Sequence, residues 1–413
     1  MLKFSLWLKL AAVCLALMVS ACGGGTGSSA AAPSGFTVTP GNGQVTVTWQ
    51  ASGGVDYWLM YAATSSPIDI KNPPAAHVWA TNITSPYVIT GLTNGVTYSF
   101  AMNGRSGGGA GGPQTASATV TPGYAGSAWA SGAVMDASKD MRGLAYGTAS
   151  DATVDYAAVG AAGAIFKGTD GATWSALTTA PAIGFKGVTY ALSQFIAVGT
   201  SGGVNNVYRS ADLATWTPVA MPSANGLNAV TSNGTTVVAV GDAGTIYYST
   251  DALTWSTASV TGPAAGTNLY GVAYSSANGT WVAVGAGGAL VTSTDLSTWT
   301  TRTSTSFVDL NGVSVTASNA FVAVGAGGKV ISSADGTSWA TQSLGANNTL
   351  YAVSTDSAQF LAVGQNGSAY TSLDGVTWTP RSTGSSNTLY AITGSVNRYV
   401  VVGQAGTNIS SIN

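Results

Sequence analysis

One motif governs what this chain can fold into: an apolar strand ending in Val-Gly, which recurs with its glycine at Gly160, Gly199, Gly241, Gly285, Gly325, Gly364 and Gly403. The interval is about 40 residues, and a unit of that size cannot bury its apolar face unless it stacks on a neighbour. After each glycine come a short turn and a second strand. An Asp-x-x-x-Trp stretch follows in every unit but the last, as Asp170 and Trp174, Asp212 and Trp216, Asp251 and Trp255, Asp295 and Trp299, Asp335 and Trp339, and Asp374 and Trp378. Each tryptophan opens a Thr/Ser-rich strand. A strand of the Leu-Tyr-Ala-Val kind, as at 350–353, then begins the next unit.

Four short strands per repeat is the signature of a propeller blade. The two ends of the repeat region explain why one Asp-to-Trp stretch is missing. Ser411-Ile412-Asn413 stops where Ser-x-Asp should stand, and Gly126-Ser127-Ala128-Trp129 supplies what should come next. Joined in space they rebuild a seventh unit with Asn for Asp. The expected fold class is therefore all-β, with a seven-bladed propeller over residues 124–413. Its last blade takes three strands from the C-terminus and its outermost strand from 128–132, a closure that removes open sheet edges.

The stretch Ser-Leu-Asp-Gly-Val-Thr-Trp at 372–378 resembles the Asp-box, or BNR, repeat, although it is one residue shorter between Asp and Trp than the usual form. Proteins with such repeats include sialidases, xyloglucan hydrolases and photosystem II assembly factors. The resemblance implies the propeller fold and leaves function open. A short Asp side chain accepts turn N–H groups, and the large Trp fills space between strands. These pairs therefore read as structural, neither catalytic nor metal-binding.

Residues 1–21 carry Lys3 and Lys9, an apolar run at 10–19 and then small residues, which is a secretory signal pattern. Val19-Ser20-Ala21-Cys22 resembles the bacterial lipobox, which implies lipidation at Cys22; an ordinary cleaved signal is the alternative. Cys14 leaves with the signal, so no internal disulfide remains. Gly23 follows the cysteine where an inner-membrane retention signal has Asp, so the resemblance implies an anchor in the bacterial cell envelope, at the outer membrane if the host is Gram-negative. Residues 22–32 read as a flexible tether.

Residues 33–122 form a separate all-β segment. Residues 44–49 and 57–61 alternate with period two, and Gly41-Asn42-Gly43 marks a hairpin. The segment resembles a fibronectin type III β-sandwich, with Trp49 as the core tryptophan and Leu92 to Tyr98 as the Leu-x5-Tyr corner. It is expected to act as a spacer. His77, beside Trp79, reads as a strand or loop residue.

Composition narrows the function. The chain has 13 Lys+Arg and 15 Asp+Glu in 413 residues, every acid is Asp, and His77 is the only histidine. No basic stripe is available for nucleic acid, a histidine-based metal site or triad has one candidate, and a sialidase lacks its Glu. No cofactor or metal is expected. If each unit runs inner strand, Val-Gly strand, third strand and Trp strand, the Asp-to-Trp stretches share one face. The position after the first residue of each inner strand then gives a ring on the other: Arg142, Lys186, Asn228, Tyr270, Asn311, Tyr351 and Tyr390. The turns after Val-Gly add Asn205, Asn206, Asp242, Gln365, Asn366 and Gln404. Tyr and Asn offer flat area and hydrogen bonds at low entropic cost; the competing reading packs the tyrosines between blades. Asp140, Asp242 and Asp309 reach the same face and leave a two-carboxylate glycoside hydrolase as the alternative. The favoured reading is a monomeric, lipid-anchored, non-catalytic binding or scaffold module for a protein or glycan partner.

Overall fold

The computed structural model describes residues 27–150, 154–177, 181–316, 318–355, 359–395 and 398–412. The signal segment, Cys22 and Asn413 lie outside the described residues. The chain divides into two compact units, Met1–Gly123 and Tyr124–Asn413.

The first unit holds two antiparallel sheets. One consists of Ser34–Gly41, Gln44–Gln50 and Tyr87–Thr90; the other runs His77–Ile83, Val55–Ala62 and Tyr98–Ser106, and Ser28–Ala30 and Ala118–Val120 share its last edge. Their period-two alternation sends Val45, Val47, Trp49, Tyr57, Leu59, Phe100 and Met102 into one core. Trp49 and Tyr57 meet edge to face at 5.6 Å. The Tyr98 hydroxyl accepts the N–H of Thr93 at 3.1 Å, which pins the preceding corner. The imidazole of His77 stands beside the Pro74 carbonyl at 2.6 Å and meets the edge of Trp79.

The second unit is a seven-bladed propeller. Blade 1 is Met141–Thr148, Val154–Gly160, Ile165–Gly168 and Ser175–Ala176, each strand antiparallel to the one before. The pattern repeats through blade 6, which is Leu350–Thr355, Phe360–Gly364, Ser368–Ser372 and Thr379–Ser382. Among the described residues, blade 4 alone carries a fifth strand, Ser259–Thr261, parallel to its outer strand Thr298–Thr301. Blade 7 takes Leu389–Ser395, Arg398–Gly403 and Asn408–Ile412 from the end of the chain and Ala128–Ser131 from the start of the unit.

The second strand of each blade is apolar without alternation because both its faces are covered. Val237 and Ala239 of blade 3 pack with Ile196 and Val198 of blade 2. Val238 and Val240 pack with Trp281 and Ala283 of blade 4. The same logic shuts the ring, since Val400 and Val402 of blade 7 share a core with Met141, Tyr156 and Ala158 of blade 1.

The Val-Gly glycine answers to a close approach. Its backbone is extended, but a Cβ on Gly285 or Gly325 would stand 2.0 Å from the carbonyl oxygen of Asn268 or Asp309, where the inner strand begins. The next residue donates its N–H to that same carbonyl, at 2.9 Å for Ala286 to Asn268 and for Ala326 to Asp309. A side chain would push the two strands apart and break that bond.

Candidate functional site

Each inner strand around the axis carries the same irregularity. Its register against the second strand slips by one residue, between Met141 and Gly143 in blade 1 and at the equivalent place in all seven blades. Such a bulge leaves one residue unpaired and re-aims its side chain. The unpaired residues are Arg142, Lys186, Asn228, Tyr270, Asn311, Tyr351 and Tyr390, and all of them line one axial cavity of about 420 Å³. The following residue is always Gly or Ala, because neighbouring backbones converge there: a Cβ on Gly312 would lie 3.2 Å from the Cα of Ala352.

Tyr270 lines the cavity with no side-chain hydrogen bond or ring contact among the described residues, and the other six side chains of the ring divide into two groups. Lys186 donates to Asn228 Oδ1 at 2.6 Å, and Asn228 Nδ2 donates to Asp242 and to the Leu269 carbonyl, both at 2.9 Å. Asn311 Nδ2 reaches the Leu350 carbonyl at 2.8 Å. These three residues clasp their own blade to the next. The other sector is aromatic. Tyr351 and Tyr390 meet edge to face at 5.2 Å, and the Arg142 guanidinium lies 4.5 Å from the centre of the Tyr390 ring. Both tyrosines stay half-buried, so they touch across blades and still face the cavity. Burial, reinforced by the Asp140 carboxylate, holds the Tyr390 phenol above its ordinary pKa.

Most of the remaining polar residues of this face have structural partners. Asp140 pairs with Arg142 at 3.0 Å and accepts the Ala405 N–H at 3.2 Å. Asp309 accepts the Gly287 N–H at 2.8 Å, so both carboxylates cap the turn of the preceding blade. Asp140, Asp242 and Asp309 stand on blades 1, 3 and 5, with at least one blade between any two of them. Gln404 accepts the Thr388 N–H at 3.3 Å, Gln365 stands 3.5 Å from the Thr349 nitrogen, and both are exposed, as are Asn205 and Asn366. Asn206 departs from the sequence expectation of a surface group. It is fully buried, accepting from Ser201 and donating to the Asn225 carbonyl inside the longer turn of blade 2.

The Asp-to-Trp turns form the other side of each blade. Asp251 Oδ1 accepts the N–H groups of Leu253 and Thr254 at 2.8 Å and the Ser249 hydroxyl at 2.9 Å, and these donors hold its pKa down at about 2. Asp170, Asp212, Asp295, Asp335 and Asp374 are likewise held below the usual carboxylate range, chiefly by backbone N–H groups. Trp299, Trp339 and Trp378 each donate the indole N–H to the carbonyl three residues earlier, and Trp129 does so to Gly126 at 3.1 Å. Trp174, Trp216 and Trp255 pack against the same strands with no such bond among the described residues.

No protein-family model matches the chain, and no curated protein sequence does. Solved structures do match. YCF48 from Cyanidioschyzon merolae superimposes with a TM-score of 0.55 at 17% identity, over 69% of this chain and 98% of that one. A structure of YCF48 bound to D1 peptide gives 0.56 at 17% identity, over 69% and 94%. Virginiamycin B lyase from Staphylococcus aureus gives 0.59 at 12% identity, over 69% and 99%. What they share with this chain is the propeller. Identities this low carry the fold and no site.

Proposed function

We propose that the propeller is a non-catalytic binding module that receives a segment of a partner protein in its axial cavity. The observation that carries this reading is the ring of seven bulges, which turns one side chain from every blade toward a single cavity. Tyr351, Tyr390 and Arg142 supply rigid aromatic area and a cation, the residue types that dominate hot spots. Asp140 and Asp309 are engaged as turn caps on separate blades, which argues against a pair of carboxylates poised for hydrolysis. The propeller of YCF48 bound to D1 peptide supports a protein partner as the ligand class.

In the same reading the chain is a monomeric lipoprotein of the bacterial envelope, anchored through Cys22, with the first unit as spacer. Metabolic labelling with a fatty acid tests the anchor: label is expected on the wild type and absent from Cys22→Ser. For the cavity, a random-peptide display library is panned on the full chain and the bound state followed by hydrogen–deuterium exchange. Protection is expected at 350–353 and 389–392. Protection confined to the Asp-to-Trp turns would contradict the proposal.

A further inference from the structure

Two pockets on the Asp-to-Trp side repeat one construction that the axial cavity does not use. In blade 6 a cavity of about 390 Å³ is lined by Tyr124, Thr371, Asp374, Thr377 and Arg381 among others. In blade 4 a cavity of about 230 Å³ is lined by the equivalent Thr292, Asp295, Thr298 and Arg302. Each arginine stands three residues after its Trp and lies across the blade, donating Nε to a hydroxyl on the third strand: Arg381 to Thr371 at 2.8 Å and Arg302 to Thr292 at 2.9 Å. Blade 5 has Gln342 there, whose amide donates to Ser332 at 2.8 Å. The arginines differ in what is left over. With Nε engaged, the two terminal guanidinium nitrogens have no protein partner among the described residues.

We infer that these two pockets are equivalent sites for a neutral saccharide. Each places a guanidinium, which only donates, and a carboxylate, which only accepts, around one space whose net charge is zero. Asp374 and Asp295 take their turn N–H and Ser hydroxyl bonds through Oδ1, and the hydroxyls of Thr377 and Ser297 also act on the two carboxylates. An anionic ligand meets the carboxylate and a cationic one meets the guanidinium. A hydroxyl donates and accepts at once, so a pair of neighbouring sugar hydroxyls satisfies both side chains without charge. The threonine hydroxyls extend the same chemistry, and Tyr124 gives the blade 6 site an aromatic face for the apolar side of a sugar ring. Blade 6 is therefore the tighter site. Two sites on one molecule raise avidity for a repeating polysaccharide.

The test is an array of neutral hexose and N-acetylhexosamine oligosaccharides with sulfated counterparts, followed by calorimetry of the full chain with the best neutral oligosaccharide. Glutamine replaces each arginine, since Gln342 occupies the same place in blade 5, and an unchanged melting temperature confirms folding. The wild type is expected to bind two oligosaccharides per chain, Arg302→Gln and Arg381→Gln one each, and the double variant none. The axial variant Tyr351→Ala/Tyr390→Ala should keep both. Retention of sulfated saccharides only, a blank array, stoichiometry that survives in the double variant, or loss in the axial variant would overturn the inference.

Discussion

Ser411 is paired with Trp129, so the last described strand of the chain and the first strand of the propeller unit lie side by side in one sheet. Around this pair Asn408 Nδ2 donates to the Ala133 carbonyl and the Gly132 N–H donates to the Asn408 carbonyl at 3.1 Å. The ring therefore depends on its final residues. Deleting 409–413 leaves the outer strand of blade 7 unpaired and opens two sheet edges. Calorimetry should then show loss of the single cooperative propeller transition; an unchanged transition would refute closure at this blade.

The Val-Gly glycine gives a second prediction. A methyl on Gly285 collides with the Asn268 carbonyl and competes with the Ala286 N–H for the space that carbonyl occupies. Gly285→Ala is expected to lose about 1–3 kcal/mol of stability, the usual range for overpacking. Gly203→Ala, at a loop position with open space around it and no left-handed backbone, is the control and should lose much less. Denaturant midpoints for the two variants decide the matter.

Acid should unfold the propeller in a defined window. A carboxyl whose pKa is lower in the folded chain stabilises the fold when ionised; that contribution is complete above the unfolded value and is lost as pH falls through the folded one. Asp251 drops from 3.8 to about 2, and the other five Asp-to-Trp carboxyls shift the same way. With no glutamate and one histidine in the chain, few side chains titrate between pH 5 and 8. Melting temperature should be nearly level over that range and fall between pH 4 and 2. A steady decline beginning near pH 6 would count against the turn carboxylates as its source.

Asn228 and Tyr351 should separate fold from binding. Asn228→Ala removes the acceptor of Lys186 and the donor to Asp242 and the Leu269 carbonyl, and about 1–3 kcal/mol of stability should go with those bonds. Tyr351→Ala removes a half-buried ring with no blade-to-blade hydrogen bond in the described structure, and its melting temperature should move much less. Equal losses in the two variants would make the ring structural throughout.

The fold was legible because a repeat of about 40 residues with one missing Asp-to-Trp stretch admits few closures, and the two ends of the repeat region complete each other. The ring positions were legible as a place in the repeat. Their division of labour was not, because Asn228 and Asn311 act on carbonyls of the following blade, a partner some 40 residues away that no local pattern names. The bulge that turns these side chains inward leaves only a Gly or Ala at the next position as its trace. Asn206 misled for the opposite reason: blade 2 has a longer turn than its neighbours, and a buried asparagine ties it together. Arg302 and Arg381 each stand three residues after a Trp, a spacing visible in the sequence. Their anchoring by Thr292 and Thr371 depends on strands crossing at a ten-residue separation, which the structure supplies. The low charge count also acquires a structural meaning, since six of the fifteen acids serve the turns and both faces of each blade's second strand are packed.

The most direct test of the account is the affinity of a peptide selected on the wild-type chain, measured by calorimetry against wild type and Tyr351→Ala/Tyr390→Ala. Removing two neighbouring aromatic anchors from the centre of an interface should weaken binding by at least about tenfold while the melting temperature holds. Equal affinity for the two proteins would place the partner elsewhere and contradict the axial cavity as the binding site.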